Sequence, residues 1–222
     1  LKKKNKFIGF RGEKNKPSAI ILRNNNLHLE IIINPKAFSA KNDPAGISDI
    51  ILESALSTIC DNEDSVAAVD SEDKILCYKN WLQLMKGNLT TRFEKTGKVF
   101  ERKLNPDRNF YLPSGKKSKL HGRSLLLIRN VGHLMTSSCI LLKNGSEIPE
   151  GIMDAFFTSA ACLHDIKKKK NSRKGSIYIV KPKMHGPEEC KFTDQIFNKV
   201  EAYRETLGKL SRPKEQPPRK LS

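Results

Sequence analysis

GRSLLLIRNVGHLM, residues Gly122 to Met135, is the stretch that decides the fold. Four apolar residues, Leu125 to Ile128, stop abruptly at Arg129, Asn130, Val131 and Gly132. A run without alternation does not suit a strand with one wet face, whereas strands of a parallel sheet, covered on both sides, read this way. Parallel α/β sheets place chemistry where their strands stop. The run therefore predicts a buried strand that delivers the Arg129 guanidinium to its own carboxyl end. A strand ending in a merely solvated Arg is the plainer reading, and the neighbouring stretches raise the catalytic one.

Two further runs have the same shape. Thr58-Ile59-Cys60 feeds into Asp61-Asn62-Glu63-Asp64-Ser65, and Ser176 to Val180 (SIYIV) feeds into Lys181-Pro182-Lys183-Met184-His185-Gly186. A helical pattern follows each strand. Asp70 and Ser71 are good caps, Glu72 and Asp73 suit the positive end of the dipole, and Ile75, Tyr78, Leu82 and Met85 make one face before Gly87 ends the helix. Pro149 and Glu150 open a second helix with Ile152, Phe156, Ala160 and Leu163 on its face. Pro187 begins the last, with Phe192, Ile196, Val200 and Leu207 on one stripe. Strand then helix, repeated with helices long enough for crossovers, predicts part of a barrel or an open parallel sheet.

The rest of the chain interrupts this alternation. Ala19 to Leu22 and Leu27 to Ile33 flank Arg23-Asn24-Asn25-Asn26, and because Asn tolerates left-handed turns a hairpin is expected. After the Asp43-Pro44 turn, Ile47, Ile50, Ile51, Ser54 and Ala55 follow helical spacing to about Thr58. Leu89 to Phe93 and Val99 to Leu104 flank Lys95-Thr96-Gly97 as a second hairpin. Pro113-Ser114-Gly115 and the lysines from Lys116 to Lys119 read as a loop. Residues 1–56 and 87–123 are thus expected to form an inserted mixed α/β module, and 57–86 with 124–208 the strand–helix portion. Residues 209–222, with Pro213, Pro217 and Pro218, read as a basic proline-rich tail.

The 222 residues have room for one domain or two small ones, and 37% hydrophobic with 29% charged residues is a globular balance. No apolar run approaches the roughly 20 residues of a membrane span. The chain opens on Leu1, reads as mid-domain sequence and shows no signal or transit pattern, so a piece of something longer is expected. Five dispersed cysteines without a CxxC pair argue against zinc and a disulfide framework, and for the reduced thiols of a cytoplasmic protein. A net charge of +17 would suit nucleic acid. Much of it, however, lies in the opening KKKNK, in Lys116 to Lys119, in Lys167 to Lys170 and in the tail, rather than on a face interleaved with aromatics. Specific nucleic-acid binding is not expected.

Asp61, Glu63 and Asp64 crowd three carboxylates into four residues at a strand end, and alternation would put Asp61 and Glu63 on one face with Asp64 on the other. Such a group can hold a divalent cation through water, orient a cation such as Arg129, or simply cap the next helix. His133 and His185 follow strands closely, where a packing histidine is commoner than a base. Lys181 and Lys183 flank a proline at a strand end and are placed to steer an anion. No Ser/His/Asp order, P-loop, GxGxxG or zinc spacing is present.

Several long segments in order carry a resemblance: ICDNEDSVAAVD (Ile59 to Asp70), NWLQLMKG, LNPDRN, GRSLLLIRNVGHLMT, EIPEGIMDAFFT and NSRKGSIYIVKPKMHGPEE. Together they resemble malate synthase of the single-chain bacterial G type, from about Phe7 to Leu207. The resemblance implies a partial TIM (β/α)8 barrel with an inserted mixed α/β module. It also implies a Mg2+-dependent acyltransferase of the glyoxylate cycle that condenses acetyl-CoA with glyoxylate to give malate and CoA, cytoplasmic and monomeric. By the same resemblance Arg129 is catalytic, binding glyoxylate and stabilising the enolate, while Ser65 and Arg102 contact acetyl-CoA. Glu63 supports either the metal's water shell or Arg129. The family's metal ligands and catalytic base lie C-terminal to these segments, and from Lys209 the likeness stops, so no metal ligand is expected in this chain and the chain alone is expected to be inactive. A non-catalytic remnant or interaction module is the competing reading, and a basic nucleic-acid binder the third.

Overall fold

The computed structural model describes residues 4–53 and 56–210. In chain order, strands β1 (Phe7–Glu13), β2 (Lys16–Asn24), β3 (Leu27–Ile33), β4 (Ile47–Leu52) and β5 (Ser57–Asp61) lead to helix α1 (Ser71–Lys86). Strands β6 (Thr90–Lys95), β7 (Lys98–Lys103), β8 (Arg108–Tyr111) and β9 (Lys117–Leu120) precede the central strand β10 (Leu125–Arg129). Then come β11 (Thr136–Leu141), β12 (Glu147–Pro149), α2 (Glu150–Ile166), β13 (Ile179–Val180) and α3 (Pro187–Leu210). The chain divides into two compact units. One is built from residues up to 58 with 103–125, the other from 59–102 with residues from 126 onward.

The first unit is a six-stranded sheet in the order β4-β3-β2-β1-β8-β9. Ala19, Ile21, Phe110 and Leu120 form its core, with Ile8, Ile32 and Leu112 against them. The expected β2–β3 hairpin is present, and Asn25 and Asn26 both take positive φ, 48° and 63°, as a two-residue hairpin turn requires. Glu30 is buried on this sheet and held by Arg11 and by Arg108 Nε at 2.7 Å.

Two expectations fail in this unit. The helix read over Ile47 to Thr58 is instead β4, antiparallel to β3 with Ile31 opposite Ile50 and Ile33 opposite Ile47. Isoleucine branches at Cβ and favours the extended chain, and β3 offers it a hydrogen-bonding edge. A short apolar run cannot decide between the two periods by itself. Ser54 and Ala55 lie outside the described residues. Part of the expected lysine loop is β9, where Lys117 and Lys119 face water while Ser118 and Leu120 turn inward. The lysines were an alternating strand's wet face.

The second unit contains a three-stranded sheet in the order β13-β10-β5. Strands β10 and β13 are parallel, Ile128 opposite Ile179 and Arg129 opposite Val180. The β5 strand runs the same way: Leu125 N donates to Leu56 O at one end and Asn62 N to Arg129 O at the other. The Asp70 carboxylate caps α1 by accepting from Asp73 N at 2.9 Å, and Gly87, at φ 81°, closes it. Trp81 and Met85 of α1, Ile128 of β10, and Ala161 and Cys162 of α2 form the core between sheet and helices. Ile196 and Val200 of α3 pack on Ala155 of α2. This is a mixed α/β unit of βαβαβ order, with no closed barrel among the described residues.

Here too the structure departs from the sequence reading. The buried stripe of α1 is Lys74, Trp81 and Met85, while Ile75 is exposed. The run SIYIV contracts to the two residues of β13. Phe192 is exposed on α3, and the Leu207 side chain lies outside the described residues. The β6–β7 hairpin, expected in the inserted module, falls in the second unit.

Candidate active site

Three strand ends meet at the site. The β10 strand delivers Arg129, β5 ends on Asp61 and the turn after it supplies Glu63 and Asp64, and the segment after β13 supplies Lys181 and Lys183. Arg129 Nη2 donates to Glu63 Oε2 at 2.9 Å and to Asp64 Oδ2 at 2.7 Å, with Nη1 3.5 Å from Asp61 Oδ2. Lys183 Nζ bridges the same two acids, 3.0 Å from Glu63 Oε1 and 3.0 Å from Asp64 Oδ1. Alternation was expected to send Asp64 to the opposite face. Residues 62–65 leave the strand for a turn, so all three carboxylates converge on one guanidinium.

The turn is tied to itself as well. Asp61 accepts from the backbone N–H of Glu63 at 2.9 Å and of Ser65 at 3.1 Å. Burial pushes the Asp61 carboxyl up, but the Ser65 hydroxyl, these two N–H groups and Arg129 outweigh it and hold it below the usual range. Hydrogen bonds from Lys183 and then Arg129 lower Asp64. The Asp64 and Glu63 carboxylates in turn raise Arg129 above the ordinary guanidinium value, so it carries its charge throughout. The Arg129 side chain is 22% exposed, so the site is a partly wet cleft.

A concavity of about 560 Å3 opens beside Lys183, lined by Glu63, Gly132, His133, Met135, His185 and Glu189. His133 Nε2 lies 2.9 Å from Thr193 Oγ1 and its ring is 5.1 Å from that of Phe192. Burial, then Lys181, pushes its pKa down. It lines the concavity while being held by Thr193 and Phe192 of α3. The two lysines read as anion-steering groups already have partners: Lys183 on the acids, and Lys181 on the Val131 carbonyl at 2.6 Å.

Ser65 is part of the acidic turn through Asp61. Arg102 is not brought there. It stacks over Phe93 within its own hairpin, 4.7 Å from the ring centre, and among the described residues no hydrogen bond or ion pair joins it to Arg129 or the acids. Among the described residues no group of three or more His, Cys, Asp or Glu side chains is arranged to hold a metal ion. The carboxylates nearest to that description already serve two cations.

A buried ionic network escaped the sequence reading altogether. Lys74 Nζ lies 2.5 Å from Glu150 Oε1 and 2.8 Å from Asp154 Oδ1, and Asp154 also accepts from Tyr78 OH at 2.6 Å and Val131 N at 2.8 Å. Burial lowers Lys74, but Asp154 and Glu150 more than restore it, so its pKa is raised. Burial, followed by Asp154, pushes the Tyr78 phenol up. The signal was legible: Lys74, Tyr78, Trp81 and Met85 share one helical stripe, as do Glu150, Asp154, Thr158 and Asp165. Charges on a buried stripe need opposite charges on the facing one.

Comparison with known proteins places these features. The sequence pattern of the malate synthase TIM barrel domain matches residues 125–208. The chain is similar to malate synthase G of Halalkalibacterium halodurans, 51% identical over 204 residues, or 90% of this chain and 28% of the relative. It is 54% identical to malate synthase G of Corynebacterium efficiens and 52% to that of Corynebacterium glutamicum, again over 90% of this chain and 27% and 28% of the relatives. The chain thus spans a little over a quarter of the length of the curated relatives it matches.

Proposed function

We propose, from the premise that this chain matches malate synthase G over nine-tenths of its length, that it carries the arginine side of a malate synthase active site. The reaction joins the methyl carbon of acetyl-CoA to the aldehyde carbon of glyoxylate and hydrolyses the thioester to give malate and CoA. The sheet and its helices are, on this reading, three strands of a TIM barrel, and the six-stranded sheet is the inserted module. What supports the assignment is one arrangement: Arg129 at the carboxyl end of β10, its guanidinium held by Glu63 and Asp64 at 2.9 and 2.7 Å.

Deprotonating the acetyl methyl moves negative charge onto the thioester oxygen. A fixed cation stabilises that charge because it need not reorganise as the charge develops. The acidic turn supplies the fixing, and Lys183 offsets part of its charge, so that three carboxylates face two cations. Glu63 acts here as a holder of Arg129. Ser65 and Arg102 are assigned to acetyl-CoA on the family resemblance, and glyoxylate to Arg129. The Mg2+ of the intact enzyme is assigned, on the family resemblance, to ligands outside this chain. The catalytic base is assigned outside it too. A cytoplasmic, monomeric enzyme of the glyoxylate cycle is the setting this implies.

Replacing Arg129 by Lys in the complete enzyme bearing this segment tests the reading. A point charge cannot reproduce the planar fork that spans Glu63 and Asp64, so malate formation should fall by roughly 10²- to 10³-fold with the far-UV circular dichroism unchanged. Unaltered turnover would refute the role of Arg129. The 222-residue chain alone should form no malate.

A further inference from the structure

The residue two places beyond Arg129 is gripped at both of its backbone polar groups. Val131 N donates to Asp154 Oδ2 at 2.8 Å, and Val131 O accepts from Lys181 Nζ at 2.6 Å. These partners come from different elements, the fully buried Asp154 from the second turn of α2 and Lys181 from the residue after β13. The flanking residues are tied as well, Asn130 N to Val180 O at 3.0 Å and Gly132 N to Glu63 Oε1 at 3.4 Å.

Gly151 makes the arrangement possible. A Cβ at this position in the first turn of α2 would lie 2.4 Å from Lys181 Nζ and 2.6 Å from Gly132 O. Glycine is among the poorest residues for a helix. Its presence is accounted for first by the Gly132 carbonyl, backbone that cannot swing aside, and then by the ammonium passing over it.

We propose that Lys181 is a positioning residue for Arg129: by fixing the Val131 carbonyl opposite the hold of Asp154 on the Val131 N–H, it keeps the segment from Asn130 to Gly132 rigid and thereby sets the aim of the guanidinium. Its meaning for catalysis rests on the malate synthase reading, while the positioning itself does not. A group that must meet developing charge in a fixed place needs a supporting shell that holds its mount.

Amide hydrogen exchange of the full chain tests this in the K181M, G151A and K181M/G151A variants. With Lys181→Met, exchange at Val131 and Gly132 should speed up about tenfold or more, while amides of α1 and of the first unit keep their wild-type rates. Gly151→Ala should loosen the same residues with Lys181 intact, because its methyl displaces the ammonium and crowds Gly132. The double variant should fall short of the sum of the two single effects, because both changes remove the Lys181 contact while only Gly151→Ala also crowds the Gly132 carbonyl. Unchanged exchange at Val131 and Gly132, a uniform rise across the second unit, or fully additive single effects overturns the proposal. No turnover is read, so the outcome is independent of the malate assay. In a complete enzyme that makes malate, Lys181→Met should lower kcat about tenfold and leave KM for acetyl-CoA near its wild-type value.

Discussion

Lys74 shows what a single side chain costs when its partners are buried with it. It is 2% exposed between Glu150 and Asp154, and removing it would strand two carboxylates away from water. Breaking such a group from one side typically costs about 3–5 kcal/mol. Lys74→Met should therefore lower the urea midpoint sharply, and replacing Glu150 and Asp154 by Gln and Asn in the same chain should recover part of the loss. The acidic turn makes a different prediction. Asp61 and Asp64 titrate below the ordinary carboxylate range, so their contribution is whole above the unfolded value of about 3.9 and is lost as pH falls through the lower folded values. An acid titration followed by the Arg129 side-chain NMR signals should show release of the guanidinium only below about pH 4. At this scale the sequence announced Arg129 and its acids. It misplaced Asp64 because alternation ends where the strand ends, and Lys74 was passed over because a lysine on a helix face is usually a solvated one, although its shared stripe with Trp81 and Met85 was there to be read.

Among the elements, α1 has both its stops written in the chain. Asp70 accepts from Asp73 N and Gly87 takes the left-handed closing position. Asp70→Ala should cost about 1 kcal/mol of stability by chemical denaturation. The β10 strand should be far less forgiving: Ile128 is 1% exposed against Trp81, Met85, Ala161 and Cys162. Ile128→Ala should cost about 2–5 kcal/mol. The strands that stop at Asp61 and Arg129, the three helices and the Asn and Gly hairpin turns were legible because each has a local cause. The β4 strand was not. Its extended form depends on the edge of β3 lying beside it, which no window of residues 47–58 contains. The β9 strand was hidden because lysine marks a wet position without saying whether the backbone beneath is a loop or a sheet.

The whole molecule carries a net charge of +17, and its described ion pairs use many of the acids: Glu30 with Arg11 and Arg108, and the acidic turn with Arg129 and Lys183. Across the sequence 41 lysines and arginines face 24 aspartates and glutamates. Duplex DNA should bind weakly, with affinity falling steeply as salt rises and with no preference among sequences. A titration with unrelated duplexes at two salt concentrations checks this. The likeness to malate synthase G was legible because long segments in order carry it. The division into two units was less so, since the β6–β7 hairpin looks in sequence like the other hairpins yet falls with the helical unit.

The sheet of the second unit ends, among the described residues, in β13 on one side and β5 on the other. Backbone groups along such rims are templates for further pairing, and a net charge of +17 makes copies of the chain repel one another. Ionic strength is therefore a colloidal control on this protein: screening shortens from about 30 Å at 0.01 M to about 3 Å at 1 M. Light scattering from a concentrated sample should stay low in dilute buffer and climb as salt is added.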